Sequence, residues 1–238
     1  MAEPDLLTAH PALASTPIVD SDHPAVREFA LARTARESSP QARAIALYYA
    51  VRDEIRYDPY NAGTTVETLC ASATLETGRG WCVSKAVLLA AACRAVGVAA
   101  RLGFADVRNH LSTARMRERM QTEIFYWHGY TSIAVGEAGA WVKATPAFNI
   151  ELCEKFGFHP LEFDGEIDSL YHPFDREGRK HMEYLNERGE FDDVPLEEMR
   201  ATFAEMYPYL SFDGEPAAGL GEGADFDRDV EAETSTGS

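Results

Sequence analysis

Gly78-Arg79-Gly80-Trp81-Cys82-Val83-Ser84-Lys85-Ala86-Val87-Leu88-Leu89-Ala90-Ala91-Ala92-Cys93-Arg94-Ala95-Val96-Gly97 is the stretch on which the reading of the fold turns. Two glycines give a flexible lead, and from Val83 to Val96 nearly every residue is apolar or alanine. A helix with so little polar face belongs in the middle of a domain. Gly97 accepts the left-handed conformation that ends such a helix. Cys82 then stands at the N-terminus of a buried helix, where the first backbone N–H groups lack internal partners and the dipole is positive. Both favour a thiolate and lower a cysteine pKa, which makes Cys82 a candidate nucleophile. The plain alternative is one more small buried apolar residue. Cys93 lies about three turns further on, roughly 16 Å along the axis, and reads as core, as does Cys70.

Composition bounds the rest. The chain has 238 residues, enough for one large domain or two small ones. A hydrophobic fraction of 45% supports a sizeable core. The 39 acidic residues outnumber the 22 basic ones, for a formal charge of -17. That balance argues against a nucleic-acid surface, which needs Lys and Arg against phosphates, and against anionic membranes. Four cysteines without CxxC spacing make neither a disulfide framework nor a zinc knuckle, so no metal or cofactor is expected. There is no basic segment followed by an apolar signal core, and no apolar run reaches the roughly 20 residues of a membrane helix. The expectation is a cytoplasmic protein with reduced thiols.

Working outward, residues 1–23 are an irregular lead-in. Pro24 opens a short amphipathic helix to Arg33, and Ser38-Ser39-Pro40 stops it and caps a second, Gln41 to Arg56, of near-3.6 period. Tyr57 to Gly63 is a loop and Val66 to Ser72 a short helix. Beyond the central helix, Val98 to Val107 reads as a strand. Residues 108–120, with four Arg and His110, read as a surface loop or short helix. Thr122 to Val135 has high β-propensity. Gly136 to Gly139 turns the chain, and Ala140 to Thr145 returns as a strand stopped by Pro146. If Val135 pairs with Ala140, paired positions sum to 275, Tyr130 faces Thr145, and His128 faces Ala147. Ile150 to Phe156 is a short helix. Residues 157–194 are mixed, with turns at Asp164-Gly165 and Arg188-Gly189, and Leu196 to Tyr207 forms a final helix. Residues 211–238 hold eight acidic residues, one Arg and five Gly, and read as disordered. Asp225-x-Asp227-x-Asp229 is no calcium loop, because Val230 and Thr236 stand where Gly and Glu are needed. Gly219-x-Gly221 lacks the flanking strand and helix of a dinucleotide loop.

Gly80-Trp81-Cys82 opening an apolar helix, Arg94-Ala95-Val96-Gly97-Val98-Ala99-Ala100-Arg101 at its end, and His128-Gly129-Tyr130 in a later strand resemble the transglutaminase-like superfamily. His128 follows Cys82 by 46 residues and Thr145 follows His128 by 17, spacings that fit the resemblance. Ile55-Arg56-Tyr57 looks like the family's lead into this region. The resemblance implies an α+β, papain-like fold, with the Cys-bearing helix packed on an antiparallel sheet. It also implies acyl transfer by a Cys-His-Asp triad. The division that follows is a lead-in and helix over 1–40, a transglutaminase-like core over 41–156, an extension over 157–210 and the acidic tail over 211–238.

One departure concerns the third member. The family's acidic position falls on Thr145, whose hydroxyl accepts a hydrogen bond but carries no charge to stabilise imidazolium. Asn149 is the alternative orienting residue, as Asn is in Cys-His-Asn proteases. His128 titrates near neutrality and is the candidate base. Tyr57, Trp81 and Trp127 are candidate cleft walls; turn packing is the alternative for Tyr57, and plain core packing is the preferred reading of the two tryptophans. His159, His172 and His181 show no spacing logic. Two classes of function follow: a cysteine peptidase, amidase or amide cross-linker acting on a peptide, protein or small amide, or a catalytically silent peptide-binding module on the same scaffold.

Overall fold

Proline and a polar cap set the first two helices. Pro24 begins α1 (Pro24–Thr34), where His23 Nδ1 accepts the Ala25 N–H; Ser39 Oγ accepts the Ala42 N–H at the start of α2 (Pro40–Glu54). Proline costs nothing there, because its missing N–H would have no helical partner. The computed structural model describes residues 10–109, 112–135, 137–171, 174, 176–178, 182–212, 220 and 223–235. His110, His172, His181 and the Gly219-x-Gly221 pair lie outside them.

The chain continues through β1 (Arg56–Tyr57), α3 (Val66–Leu69), α4 (Ala71–Thr77) and β2 (Arg79–Gly80), which pairs in parallel with β1. Where the sequence suggests one helix to Ser72, there are two. Cys70 is extended (φ -61, ψ 147) and serves as C-cap of α3 and N-cap of α4. It is half-buried rather than core.

α5 (Cys82–Ala95) follows, and every residue from Cys82 to Arg94 is buried. Gly97 ends it at φ +78. Its two buried cations are paid for by loose carbonyls of neighbouring segments. Lys85 Nζ donates to Arg52 O (3.0 Å) and Ile55 O (2.6 Å) at the end of α2. The Arg94 guanidinium donates to the carbonyls of Ala14, Ala100 and Asp192. Helix ends leave carbonyls without partners, and buried polar groups need them, so each cation ties α5 to another part of the chain.

The remaining elements are β3 (Ala100–Asn109), α6 (Ala114–Met120), β4 (Ile124–Ala134), β5 (Trp141–Ala144), α7 (Ile150–Phe156), β6 (Met182–Phe191), α8 (Leu196–Met206) and α9 (Phe226–Ser235). The sheet runs β5-β4-β3-β6, antiparallel throughout. Thr131–Ala144 through Ala134–Trp141 pair at positions summing to 275, the register read from the sequence. The ladder stops there, because the Thr145 N–H turns to Ser169 O (2.9 Å); Tyr130 and His128 do not pair with Thr145 and Ala147. α5 packs on β4 and comes close to it at Gly129. A Cβ on Gly129 would stand 2.9 Å from Val83 Cα, so only glycine fits. The result is an α+β fold with the Cys-bearing helix packed on an antiparallel sheet.

Two stretches differ from expectation. Arg188-Gly189 is no turn: it lies inside β6, with Gly189 (φ +107) opposite Phe104 where the β3–β6 register shifts. Most of this edge strand is half or fully exposed, so it lacks the apolar alternation that marks a strand. The acidic tail also carries a helix, α9, so Leu196–Met206 is not the last one and the tail is not disordered over 226–235. Phe226 is buried against Tyr57 and Tyr60, with ring centroids 5.8 and 5.4 Å away, and Val230 is fully buried. Asp225 Oδ1 caps the helix by accepting the Arg228 N–H (2.9 Å). Asp227 pairs with Arg56 (2.7 Å) and Arg79 (3.5 Å), Asp229 with Arg115 (2.6 Å), and Glu231 with Lys155 (2.9 Å). The charge that argues against order is thus neutralised by cations from separate segments. No described helix is long and apolar enough to cross a membrane.

Candidate active site

Cys82 is the first residue of α5 and is 6% exposed. The backbone N–H groups of Gly129 and Val83 reach its sulfur and favour the thiolate, as a helix start should. Burial outweighs them and pushes the Cys82 thiol up to about 11. The direction is the opposite of that expected from the sequence: desolvation disfavours the charged form by more than the N–H groups restore.

His128 stands on β4, next to Gly129, and is 5% exposed. Cys82 and His128 line one cavity of about 60 Å³ between α5, α6, β4, α8 and the C-terminal segment. Tyr57 and Trp81 line it too, as expected. Trp127 does not. Strand neighbours point to opposite faces, and its ring packs on Phe104 (5.4 Å) and Phe191 (6.4 Å), with the Arg188 guanidinium 4.5 Å from its centroid.

The backbone beside His128 is unusual. Trp127 has φ +60, where the β3–β4 register slips between Ala105 and Val107. A left-handed residue other than glycine is costly and persists only where its surroundings hold it. Buried Asp106 does this: its Oδ1 accepts the Trp127 N–H (3.2 Å) and Arg188 Nε (2.6 Å), and its Oδ2 accepts Asn186 Nδ2 (3.2 Å). The irregularity re-aims side chains, as bulges do: the adjacent Phe125 and Tyr126 both face the Cys82 cavity.

A smaller cavity lies on the other side of His128, which lines both. Thr145, 3% exposed, lines this second cavity together with His159. The Thr145 hydroxyl lies beside that of Tyr184 without closing an ordinary hydrogen bond, and the Tyr184 ring meets His128 edge-on at 6.2 Å. Among the described residues, Asn149 is in the wall of neither cavity. Its Oδ1 accepts the Tyr57 N–H (3.1 Å) and ties the start of α7 to β1. Thr145, and not Asn149, thus shares a cavity wall with His128.

Residues 27–146, just over half of the chain, match the family model described as the transglutaminase-like superfamily. The chain belongs to the transglutaminase-like superfamily. The matched region holds Cys82, His128 and Thr145 and ends before α7, β6, α8 and α9. Among solved structures, the chain is similar to a candidate cysteine protease from Cytophaga hutchinsonii, with 15% identity and a TM-score of 0.44 over 76% of this chain and 53% of that one. It is also similar to a candidate protease from Parabacteroides distasonis, with 14% identity and a TM-score of 0.36 over 56% of this chain and 25% of that one. The chain therefore spans about half the length of the first and a quarter of the second. No curated protein matches the sequence.

For this transglutaminase-like chain, the sequence reading missed Asp106 and the walls supplied by α6 and α8. A signal was present for α8: Phe203 and Tyr207 are four residues apart on one helix face. For Asp106 the signal was a carboxylate inside an otherwise apolar strand, where a buried charge needs partners.

Proposed function

We propose that this protein is a thiol acyl-transfer enzyme acting on an amide bond, with Cys82 as nucleophile and His128 as general base. The observation that carries the reading is that Cys82, at a helix start, and His128, on the strand beneath it, line the same cavity. Thiol catalysis needs those two groups and an orienting partner, and Thr145 is the residue proposed for that part. His128 takes the Cys82 proton as the sulfur attacks the substrate carbonyl carbon and forms the C–S bond. The C–N bond then breaks, and the leaving nitrogen takes the proton from His128. Water or an amine attacks the thioester carbon and gives its proton to His128. The C–S bond breaks, and the proton returns to sulfur.

The second reading, a catalytically silent binding module, is favoured by the uncharged Thr145 and by the raised thiol pKa of the closed site. A p-nitrophenyl acyl ester separates the two. The enzyme reading expects a burst of nitrophenol and an acyl adduct mapped to Cys82. The adduct should be absent in Cys82→Ser and form roughly 10²–10⁴-fold more slowly in His128→Ala, the usual size of general acid–base catalysis. A folded protein that forms no adduct at Cys82 supports the binding module.

A further inference from the structure

The cavity in front of Cys82 has a composition of its own. A quarter of the chain is charged (26%), yet no described Asp, Glu, Lys or Arg lines it. Met116 and Met120 of α6 form one wall; Trp81, Phe203 and Tyr207 form another. The aromatic wall is continuous, with ring centroids 6.1 Å apart for Trp81–Phe203 and 5.2 Å for Phe203–Tyr207.

Of the four described tyrosines in the cavity wall, Tyr207 and Tyr60 have their hydroxyls already engaged. Tyr207 donates to Ile124 O (3.0 Å) and accepts the Tyr126 N–H (2.8 Å). Tyr60 lies 2.8 Å from both Thr113 Oγ1 and Asp229 Oδ2. These residues therefore offer rings to the cavity rather than hydroxyls. The charges begin outside it, where α9 meets Arg56, Arg79 and Arg115.

We infer that this cavity receives an uncharged, apolar acyl group, aromatic or branched aliphatic, attached to the carbonyl that Cys82 attacks, and that Met116, Met120, Phe203 and Tyr207 set this preference. The inference rests on the proposed role of Cys82. A carboxylate or ammonium on that group would lose its water here and find no opposite charge, a cost that binding cannot recover. An apolar group would displace water from apolar walls. The methionines adapt to its shape, since an unbranched thioether fills irregular gaps without a fixed geometry.

The test uses neutral, carboxylate-bearing and ammonium-bearing chloroacetamides, with N-benzylchloroacetamide as the apolar member and chloroacetamide itself as the small control. Each forms an S–C bond at Cys82 with loss of chloride and of the thiol proton. Peptide mapping follows Cys82 separately from half-buried Cys70. The expected result is saturable labelling of Cys82 by the benzyl reagent at least about tenfold faster than by either charged one, after correction for labelling of the unfolded chain; tenfold corresponds to about 1.4 kcal/mol. Met120→Glu should abolish that preference while circular dichroism shows a folded protein. Equal rates, or preference for a charged reagent, overturn the inference and leave the nucleophile reading standing.

If no reagent labels Cys82 in the folded protein, the nucleophile reading fails instead. The apolar preference is then judged with unreactive N-benzylacetamide by ligand-observed NMR. Binding that is lost in Met120→Glu upholds the preference, and absence of binding overturns it.

Discussion

α5 and α9 are helices of similar length at opposite extremes of composition. α5 is buried from Cys82 to Arg94 and has no solvent face to defend. α9 reads Phe-Asp-Arg-Asp-Val-Glu-Ala-Glu-Thr-Ser, with Phe226 and Val230 as its buried anchors and carboxylates around them. Burial does most to order α5, because an apolar segment of that length gains by leaving water, while Lys85 and Arg94 need particular partners. α9 is ordered only by what stands opposite it: the rings of Tyr57 and Tyr60, and cations at 56, 79, 115 and 155. Its half-exposed ion pairs contribute little singly, so α9 belongs to the low-stability end of the molecule. Its anchor Phe226 packs on Tyr57 and Tyr60, two residues that line the Cys82 cavity.

The largest expected effect falls on α5. Leu88 is fully buried, and Leu88→Ala should cost about 2–5 kcal/mol by urea denaturation, as large-to-small core changes do. Val230→Ala in α9 should cost much less, because local undocking caps its effect. Equal losses would mean that α9 is as much a part of the core as α5, and the contrast would fail.

A pH scan sharpens the α5 side. Burial pushes the Lys85 ammonium down to about 7 from an ordinary 10.5. Between those values the unfolded chain holds a proton that the folded chain lacks, so stability should rise with pH across that window on this account. Lys85→Met should flatten that slope while leaving two carbonyls without their donor. An unchanged slope would mean that Lys85 is charged in the fold.

Truncation after Phe212 addresses α9. The melting temperature should fall by only a few degrees, while alkylation of Cys82 by iodoacetamide should quicken by roughly tenfold, as loss of about 1.4 kcal/mol of cover implies. Its pH profile should also move. Burial holds the Cys82 thiol at about 11, against an ordinary 9.0. Returning water favours the thiolate, so the midpoint should shift down toward the ordinary value. An unchanged rate and midpoint would show that the C-terminal segment does not shield the thiol.

The smallest effect is that of Asp227→Asn, which breaks the contacts to Arg56 and Arg79. Stability should change by less than about 1 kcal/mol. Cys82 alkylation should quicken slightly, and raised salt should reproduce the gain in the unmodified protein by screening the same pairs. A salt-independent rate would assign the docking of α9 to Phe226 and Val230 alone.

How far the chain was legible follows the same division. The Cys82 helix, its end at Gly97 and the hairpin register could be read because each depends on neighbours in sequence: apolar continuity, a left-handed glycine, and alternation about a turn. That Cys82 and His128 line one cavity follows from α5 packing on β4; in the sequence only the family resemblance paired them. β6 and α9 escaped because edge strands and docked surface helices take their order from partners far along the chain. Trp127 packs in the core, the reading its sequence favoured, and alternation puts it on the face opposite His128.

By itself, then, the sequence determined which segment is the core and which thiol stands at its head, since a helix with so little polar face gains by leaving water. Only the tertiary structure showed the burial that raises the pKa of that thiol, the cavity that Thr145 and not Asn149 shares with His128, and the order of the acidic helix. Each of those depends on water excluded, or charge supplied, by residues many positions away, and desolvation and long-range pairing leave no periodic mark in the chain.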